Sequence, residues 1–390
     1  MRVTHLITRL VLGGAQENTV ASVLGLQQIP GVHADLISGP TLGREGSLEG
    51  AFDEARDLLT ITPHLIRAVH PWHDLIALRE LTRLLRVRAP QIVHTHSGKA
   101  GILGRMAARR AGVPIIVHTI HGPSFGSFQG PISNVLFTAA ERYAARFTTH
   151  FVSVANAMTR QYLAVGIGRP EQFIRIFSGF PLEPFLQCSN DPAVRRRWGL
   201  APEDFVVGTI ARLAPLKGHE DLLRAAPRLV QRCPKIRFLL VGDGALKPRL
   251  EALARATGLR ERFVFSGLVT PGEIPQLAGV MDALVHLSAR EGLARALPQA
   301  LAAARPVIAY DADGAGEVCV DGETGFLIPP GDLEALIERV AQLAGNPELR
   351  RHLGERGRDR VRNNFAVEQM VGTLHGMYLQ LMRKQGLADG

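Results

Sequence analysis

The hydrophobic and polar positions of this chain alternate between two periods. Short apolar runs typical of buried strands are each followed by a longer stretch in which apolar residues recur at helical spacing. The run at residues 3–7 precedes such a stretch at 19–26, and residues 75–87 show the same helical spacing. Strands that alternate with helices predict a parallel sheet covered by helices on both faces.

This alternation is interrupted once, at residues 178–190, where proline and polar residues predominate. We interpret that stretch as a linker between two domains, residues 1–180 and 191–365. The remaining predicted strands are 34–37, 91–94, 114–118, 149–154, 205–210, 236–241, 263–266, 283–287 and 307–309, and the remaining predicted helices are 100–110, 135–146, 222–230, 248–257, 274–278, 296–304 and 333–344. The fold class is therefore α/β, with two Rossmann-like, doubly wound parallel sheets that we expect to face each other across a crevice.

A final amphipathic helix is predicted at residues 366–384. Its apolar positions, which include Met370, Leu374 and Leu381, recur at helical spacing, so one face of the helix must pack against another element.

Composition narrows the class of protein. Hydrophobic residues make up 46% of the 390 residues and charged residues 21%, which is typical of a globular protein. No apolar run is long enough to span a bilayer, and we expect no signal peptide. Three scattered cysteines indicate a reducing compartment without structural disulfides. The net charge of +9 suits anionic partners such as nucleotide diphosphates or phospholipid head groups.

Two cations follow the first predicted strand of the second domain. Arg212 and Lys217 lie in the loop after residues 205–210, at the carboxyl end of that strand. A guanidinium fork and a lysine charge together suit a pyrophosphate and can neutralise the charge on a leaving nucleotide. Alone, the pair is equally consistent with two solvated surface cations.

A second group of candidate residues follows the strand predicted at 283–287. Glu291 can accept hydrogen bonds from sugar hydroxyls, and Gln299 can reach a ribose. Backbone N–H groups near Leu293 and Ala294, at the start of a helix, suit a phosphate. A helix cap explains Glu291 alone but not the whole run of residues.

These segments resemble the retaining glycosyltransferases of family 4, the group 1 glycosyltransferases, which have the two-domain GT-B fold. The resemblance covers nearly the whole chain. It rests on the runs at 211–218, 241–244, 265–267, 291–309 and 321–332.

The resemblance implies a function and a set of site residues. A sugar would move from a nucleotide diphosphate sugar, which we expect to be a UDP-sugar, to a sugar, lipid-linked or small-molecule acceptor, as in polysaccharide or glycolipid synthesis. The nucleotide-sugar is then a substrate, and no cofactor is expected. The implied catalytic residues are His121, Arg212, Lys217 and Glu291, and the implied donor-binding residues are Gly13, Gly14, Gly242, Asp243, Gly292, Leu293, Ala294 and Gln299.

Two of these assignments belong to the first domain. The Gly13-Gly14 pair follows the first strand, where glycine lets backbone approach the donor diphosphate and adopt positive φ. His121 would contact the donor sugar or assist the acceptor. His94, His96 and His118 lie nearby, but no carboxylate spacing supports a metal site, so we expect none, and we interpret His94 and His118 as packed strand residues.

The chain departs from the family pattern at two positions. Gln299 stands where the family has a ribose-binding glutamate; it keeps an acceptor oxygen but loses the charge. Ala304 and Arg305 replace the late glycine of the motif, and we expect this replacement to alter the turn before Val307.

The resemblance also implies a location and further contacts. The final helix, with residues 366–390, would return to the first domain. The enzyme would be cytoplasmic, with peripheral contact to the inner face of the membrane through basic surface near Lys99, Arg105, Arg109 and Arg110, and without a nucleic-acid partner.

Two other functions remain open on the sequence alone. A GT-B sugar-nucleotide epimerase would turn over the nucleotide-sugar without an acceptor. A non-catalytic protein, which Gln299 suggests, would bind the donor without turnover. A Rossmann dehydrogenase is disfavoured because the first strand lacks the G-x-G-x-x-G motif.

Overall fold

A computed structural model describes residues 1–42 and 46–387. The contacts divide the chain into two compact units, one of residues 1–180 and 366–390 and one of residues 181–365. Residues 388–390, which we assigned to the first domain, lie outside the described part. The final helix begins and ends within the first unit.

The first unit is built on a seven-stranded parallel sheet. Its strands are β1 (Arg2–Ile7), β2 (His33–Ser38), β3 (Leu59–Ile61), β4 (Ile92–His96), β5 (Ile115–Ile120), β6 (His150–Ser153) and β7 (Phe173–Arg175). They lie in the order β3-β2-β1-β4-β5-β6-β7. The order reverses between β1 and β4, so loops that leave these two strands diverge to opposite faces.

Helices cover both faces of this sheet. They are α1 (Gly14–Gln27), α2 (Pro71–Arg88), α3 (Gly98–Ala111), α4 (Pro131–Ala145), α5 (Asn156–Ala164) and, from the end of the chain, the helix Val367–Lys384. One apolar core lies under α1 and the C-terminal helix, where Met370, Leu374 and Leu381 pack against β1, β2 and β4. A second core lies under α2 and α3.

The second unit repeats the pattern with six strands. They are β8 (Phe205–Ile210), β9 (Ile236–Val241), β10 (Phe263–Gly267), β11 (Ala283–His286), β12 (Val307–Tyr310) and β13 (Gly325–Ile328). Their order is β10-β9-β8-β11-β12-β13, all parallel, and it reverses between β8 and β11. The α/β fold class with two parallel sheets is confirmed.

The helices of the second unit precede and follow these strands. They are α6 (Glu183–Gln187), α7 (Pro192–Arg197), α8 (His219–Arg232), α9 (Lys247–Ala256), α10 (Ile274–Gly279), α11 (Ala296–Ala302), α12 (Leu333–Gly345) and α13 (Pro347–Arg362); the C-terminal helix of the first unit, Val367–Lys384, is then α14. The predicted linker at 178–190 therefore contains a short helix, α6. None of the described helices is both long and apolar enough to cross a bilayer.

A buried ion pair joins α3 to α4. Arg105 and Glu141 are both fully buried, and the Arg105 guanidinium donates to the Glu141 carboxylate and, through Nε, to the Gly101 carbonyl at 2.7 Å. Ser124 Oγ donates to the other Glu141 oxygen at 3.0 Å. Arg105 is thus part of the packed interior, and the prediction that it adds to a basic surface is wrong. Lys99 pairs with Asp74 and is only 11% exposed, so it does not belong to such a surface either.

Breaking this pair is expected to cost stability. Glu141→Gln removes the charge that compensates Arg105 in the interior, and we expect the free energy of unfolding to fall by about 3–5 kcal/mol. Glu355→Gln is the matched control, because Glu355 pairs with Arg351 at the surface, and its loss should cost less than about 1 kcal/mol. Urea unfolding measures both; equal losses would contradict the assignment.

Candidate functional site in the second unit

The carboxyl ends of β8 and β11 meet at the point where the strand order of the second sheet reverses. Arg212 and Lys217 follow β8, and Glu291 follows β11. Loops that diverge from neighbouring parallel strands at such a reversal leave a crevice, which is where open α/β sheets bind ligands. The structure therefore brings the predicted cations and the predicted carboxylate to one edge of one sheet.

Backbone hydrogen bonds hold these loops against each other. Leu213 N donates to the Asp243 carbonyl at 2.9 Å, and Ala289 N donates to the Leu216 carbonyl at 2.9 Å. His219 Nε2 lies 3.0 Å from the Arg212 carbonyl. The loop that carries Arg212 and Lys217 is thus fixed on both sides, by the loop after β9 and by the loop after β11.

Two glycines permit this close approach. Gly218 has φ of +72°, and a Cβ there would lie 2.0 Å from the Leu287 carbonyl oxygen. Gly242 has φ of +138°, and a Cβ there would lie 2.2 Å from the Ala211 carbonyl oxygen. Any other residue would both strain the backbone and push the loops apart. Gly242, which the resemblance implied as donor-binding, has at least this structural role.

Lys217 and Glu291 form an ion pair within this site. Lys217 Nζ donates to Glu291 Oε1, and His286 Nε2 lies 3.7 Å from the same oxygen. The Glu291 backbone N–H donates to Asp313 Oδ2 at 2.7 Å. The two side chains remain 18% and 26% exposed, so a ligand can reach them.

The environment keeps Glu291 ionised. Burial alone would raise the pKa of its carboxyl, but the nearby His286 imidazole and the charge of Lys217 outweigh burial and lower the pKa to about 2. Glu291 is therefore an acceptor of hydrogen bonds at neutral pH and has no proton to give as an acid.

The other predicted residues lie on the same loops. Asp243 is exposed, and its Oδ1 accepts the Gly244 N–H at 2.7 Å. Helix α11 begins at Ala296, so Gly292, Leu293 and Ala294 lie in the turn before it and not at its first N–H groups. Gln299 is part-buried within α11. Ala304, which replaces the family's glycine, keeps the left-handed backbone with φ of +53°.

The predicted residues of the first unit follow β1 and β5, which lie on either side of β4 at the carboxyl edge of the sheet. Gly13 is the N-cap of α1 and Gly14 its first residue, at the end of the loop that follows β1. Gly13 has the extended φ of 171°, and Gly14 is not among the residues of positive φ, so neither glycine uses the left-handed backbone that its lack of a Cβ would allow. His121 follows β5 directly, and its Nε2 lies 3.1 Å from His96 Nδ1.

A histidine cluster lies beneath His121, and the sequence interpretation did not include its first member. His5, His94 and His96 are fully buried, and their ring nitrogens lie within 4.8 Å of one another, close enough to hold a metal ion. His5 and His94 stand opposite each other in the register of β1 and β4. The signal available in the sequence was the spacing of His94 and His96, which lie two residues apart and therefore on one face of the same strand.

Comparisons with known proteins agree with this architecture. Residues 190–360 match the family described as "Glycosyl transferases group 1", and residues 14–176 match a "Glycosyl transferase 4-like domain". EpsD of Bacillus subtilis is 30% identical over 324 residues, covering 80% of this chain and 83% of its own. The Escherichia coli enzyme UDP-Gal:alpha-D-GlcNAc-diphosphoundecaprenol alpha-1,3-galactosyltransferase is 28% identical, covering 82% and 83%.

A solved structure shares the fold over the whole chain. The crystal structure of Anabaena Alr3699/HepE in complex with UDP and glucose superposes with a TM-score of 0.82 at 21% identity, covering 97% of this chain and 99% of its own.

The contact between Lys217 and Glu291 yields a prediction about ionisation. Lys217→Met removes the positive charge beside Glu291 while burial remains, so the pKa of Glu291 should rise from about 2 toward its usual range. Carboxyl ¹³C chemical shifts followed over pH, assigned with Glu291→Gln, measure this pKa. Lys247→Met, at the start of the neighbouring helix α9, is the control and should leave it unchanged. An unchanged pKa in Lys217→Met would contradict the pairing.

Proposed function

This chain belongs to the group 1 glycosyltransferases, and from that premise we propose that it transfers a hexose from a UDP-sugar to a lipid-linked acceptor with retention of the anomeric configuration. Dependence on a nucleotide-sugar donor is a property of this family. The choice of UDP, the roles of individual residues and the acceptor are the parts proposed here.

The main support for the proposal is that Arg212, Lys217 and Glu291 all lie on the loops at the strand reversal of the second unit, where Lys217 pairs with Glu291. Arg212 is exposed on the loop after β8, and Lys217 is held by Glu291. The two cations suit the anionic diphosphate of a nucleotide-sugar, and the carboxylate can accept hydrogen bonds from the hydroxyls of its sugar.

In the proposed mechanism the cations act on the leaving group. As the bond between the anomeric carbon and the diphosphate oxygen breaks, negative charge grows on UDP, and Arg212 and Lys217 stabilise that charge. Glu291, ionised and without a proton to give, accepts hydrogen bonds from the sugar hydroxyls and orients the ring. Retention then follows if the acceptor attacks the face that UDP leaves, with the departing phosphate taking the acceptor's proton.

Gln299 is proposed to bind the ribose of the donor. It lies on α11, which follows the loop of Glu291, and its amide oxygen can accept one hydrogen bond from a ribose hydroxyl. Gly242, Asp243, Gly292, Leu293 and Ala294 line the same group of loops and are proposed to contact the nucleotide through backbone groups.

The relatives support the donor and the acceptor. The Escherichia coli relative uses UDP-Gal and an undecaprenol-linked acceptor, and the Anabaena structure holds UDP and glucose. The two cations on the loop after β8 are consistent with a similar diphosphate donor.

Removing either cation should slow release of UDP. We expect Arg212→Ala and Lys217→Ala each to lower turnover by roughly 10²-fold, the loss typical of removing one preorganised donor. Release of UDP from UDP-glucose and UDP-galactose, with water as the acceptor, measures this without knowledge of the natural acceptor. Lys235→Ala is the control, because Lys235 is exposed at the opposite, amino end of β9. Near-normal turnover in both cation variants would rule out their assignment.

The surface of α4 supports a membrane-bound acceptor. Ile132, Val135, Leu136 and Tyr143 are 78%, 66%, 65% and 51% exposed, and their spacing places them on one side of the helix. Arg142 and Arg146, both exposed, lie at its carboxyl end. An apolar face beside basic residues suits the interface of an anionic bilayer. We propose that this helix, and not the surface near Lys99 and Arg105, makes the peripheral contact at the inner face of the membrane.

Charge placed on this helix should abolish the contact. The double variant Val135→Glu/Leu136→Glu loses two apolar side chains whose burial is worth about 1.5–3 kcal/mol each, so binding to vesicles with phosphatidylglycerol should fall by roughly tenfold or more. Cosedimentation measures the bound fraction. Val87→Glu is the matched control, since Val87 is an 81% exposed apolar residue on a different helix, α2. Equal binding of the double variant and the wild type would exclude α4 as the contact.

A further inference from the structure

A row of polar side chains crosses one face of the first sheet. His5 on β1, His94 and His96 on β4, and Thr119 on β5 occupy alternate positions that face α1 and α14. All four are buried, and His121 continues the row just beyond the end of β5. Burying an imidazole lowers the stability of the fold unless its ring nitrogens make hydrogen bonds. The hydrogen bonds of these rings therefore determine which nitrogens carry protons.

Three of these rings form a continuous hydrogen-bonded chain. His5 Nδ1 lies 2.9 Å from His96 Nε2, and His96 Nδ1 lies 3.1 Å from His121 Nε2. The rings are stacked in sequence, with centroid separations of 5.2 Å and 5.3 Å. The chain therefore leads from the sheet interior to a residue of the proposed site.

The buried rings of this chain are neutral. Burial lowers the pKa of His5 to about 3 and lowers the pKa of His96 well below its usual value, with neighbouring histidines adding to the effect for His96. A neutral imidazole carries one N–H and one bare nitrogen. His96 can therefore donate to His121 while accepting from His5, or donate to His5 while accepting from His121.

The environment of His5 distinguishes these two arrangements. His5 Nε2 is buried and has no hydrogen-bond partner within residues 1–42 and 46–387. If His5 donates through Nδ1, this orphan is a bare nitrogen; if His5 accepts at Nδ1, the orphan is an N–H. Buried donors without partners are rarer in proteins than buried acceptors without full satisfaction. The first arrangement, in which donation runs from His5 through His96 to His121, is favoured.

We propose that His5 and His96 are positioning residues that fix His121 as the tautomer with its proton on Nδ1. His121 then meets an oxygen of the sugar substrate as a hydrogen-bond donor, and not as the base that removes the acceptor's proton. The tautomer itself follows from the geometry of the first unit; its effect on turnover rests on the proposed function.

The tautomer can be measured directly. Protein labelled with ¹⁵N-histidine, studied at neutral pH by long-range ¹H–¹⁵N correlation, distinguishes protonated from bare ring nitrogens, and His121→Ala identifies the resonances of His121. We expect Nδ1 of His121 to be protonated and Nε2 to be bare. A protonated Nε2 with a bare Nδ1 would overturn the proposal.

The same spectra test the metal alternative. A metal ion held by His5, His94 and His96 would displace hydrogen bonds of His96 to His5 and His121, or of His94 to Tyr378 and Thr119. Added Zn²⁺ should leave these resonances unchanged; a joint shift of all three residues at stoichiometric Zn²⁺ would overturn the proposal in favour of a metal site.

Substitutions at His96 test the effect on turnover. His96→Leu removes the donor to His121, and UDP release should fall by roughly 10- to 100-fold, as when an orienting partner of a histidine is lost. His96→Asn keeps an N–H close to the position of Nδ1 and should recover most of that loss. His118→Leu is the control, because it removes an equally buried imidazole that instead pairs with Thr95, at 2.9 Å.

These variants separate the two proposals. If His96→Asn is as slow as His96→Leu while His118→Leu is normal, the positioning role is wrong. If His121→Ala releases UDP at the normal rate, the role of His121 in the reaction is wrong, and the nitrogen spectra still decide its tautomer.

Discussion

The reversal of strand order within each parallel sheet is the constraint on which the rest of this structure depends. In the first sheet β2 and β3 lie on one side of β1, and β4 lies on the other side. In the second sheet β9 and β10 lie on one side of β8, and β11 lies on the other. The loops that leave these central strands must therefore diverge, which leaves polar backbone and side chains at one edge that the sheet cannot cover. The candidate residues of both units lie at these edges.

Close packing of the loops at these edges fixes the positions of the candidate residues. In the second unit the loops after β8, β9 and β11 approach closely because Gly218 and Gly242 carry no Cβ. Lys217 then reaches Glu291, and the two charges stabilise each other while still exposed enough to meet a ligand. At the carboxyl edge of the first sheet, His121 instead contacts the buried His96, which in turn contacts the buried His5. One unit thus provides fixed charge, and the other provides a hydrogen-bonded chain of neutral rings.

Much of this arrangement could be predicted from the sequence, and the omissions have physical causes. The central strands are apolar runs between helices, so their pattern is strong. Strands β3, β7 and β13 are short edge strands of three or four residues, and a pattern with a period of two cannot be recognised over so few positions.

Arg105 was placed on the surface because its partner, Glu141, is 36 residues away in the chain. His5 was overlooked because a histidine within an apolar strand gives no local sign of the rings that neighbouring strands bring beside it. The placement of Arg212, Lys217 and Glu291 at one edge of the second sheet could be predicted because each lies in a loop that follows a strongly predicted strand.

The proposed function requires that the loops after β8 and β11 bind the diphosphate of a nucleotide-sugar. Thermal unfolding of the wild-type protein with UDP, GDP, ADP or uridine tests it most directly, because a ligand at 100 times its Kd adds about 2.7 kcal/mol to the free energy of unfolding. We expect UDP to raise the Tm and uridine, which lacks the diphosphate, to leave it unchanged. Equal Tm values with uridine and UDP, or no shift with any nucleoside diphosphate, would contradict it.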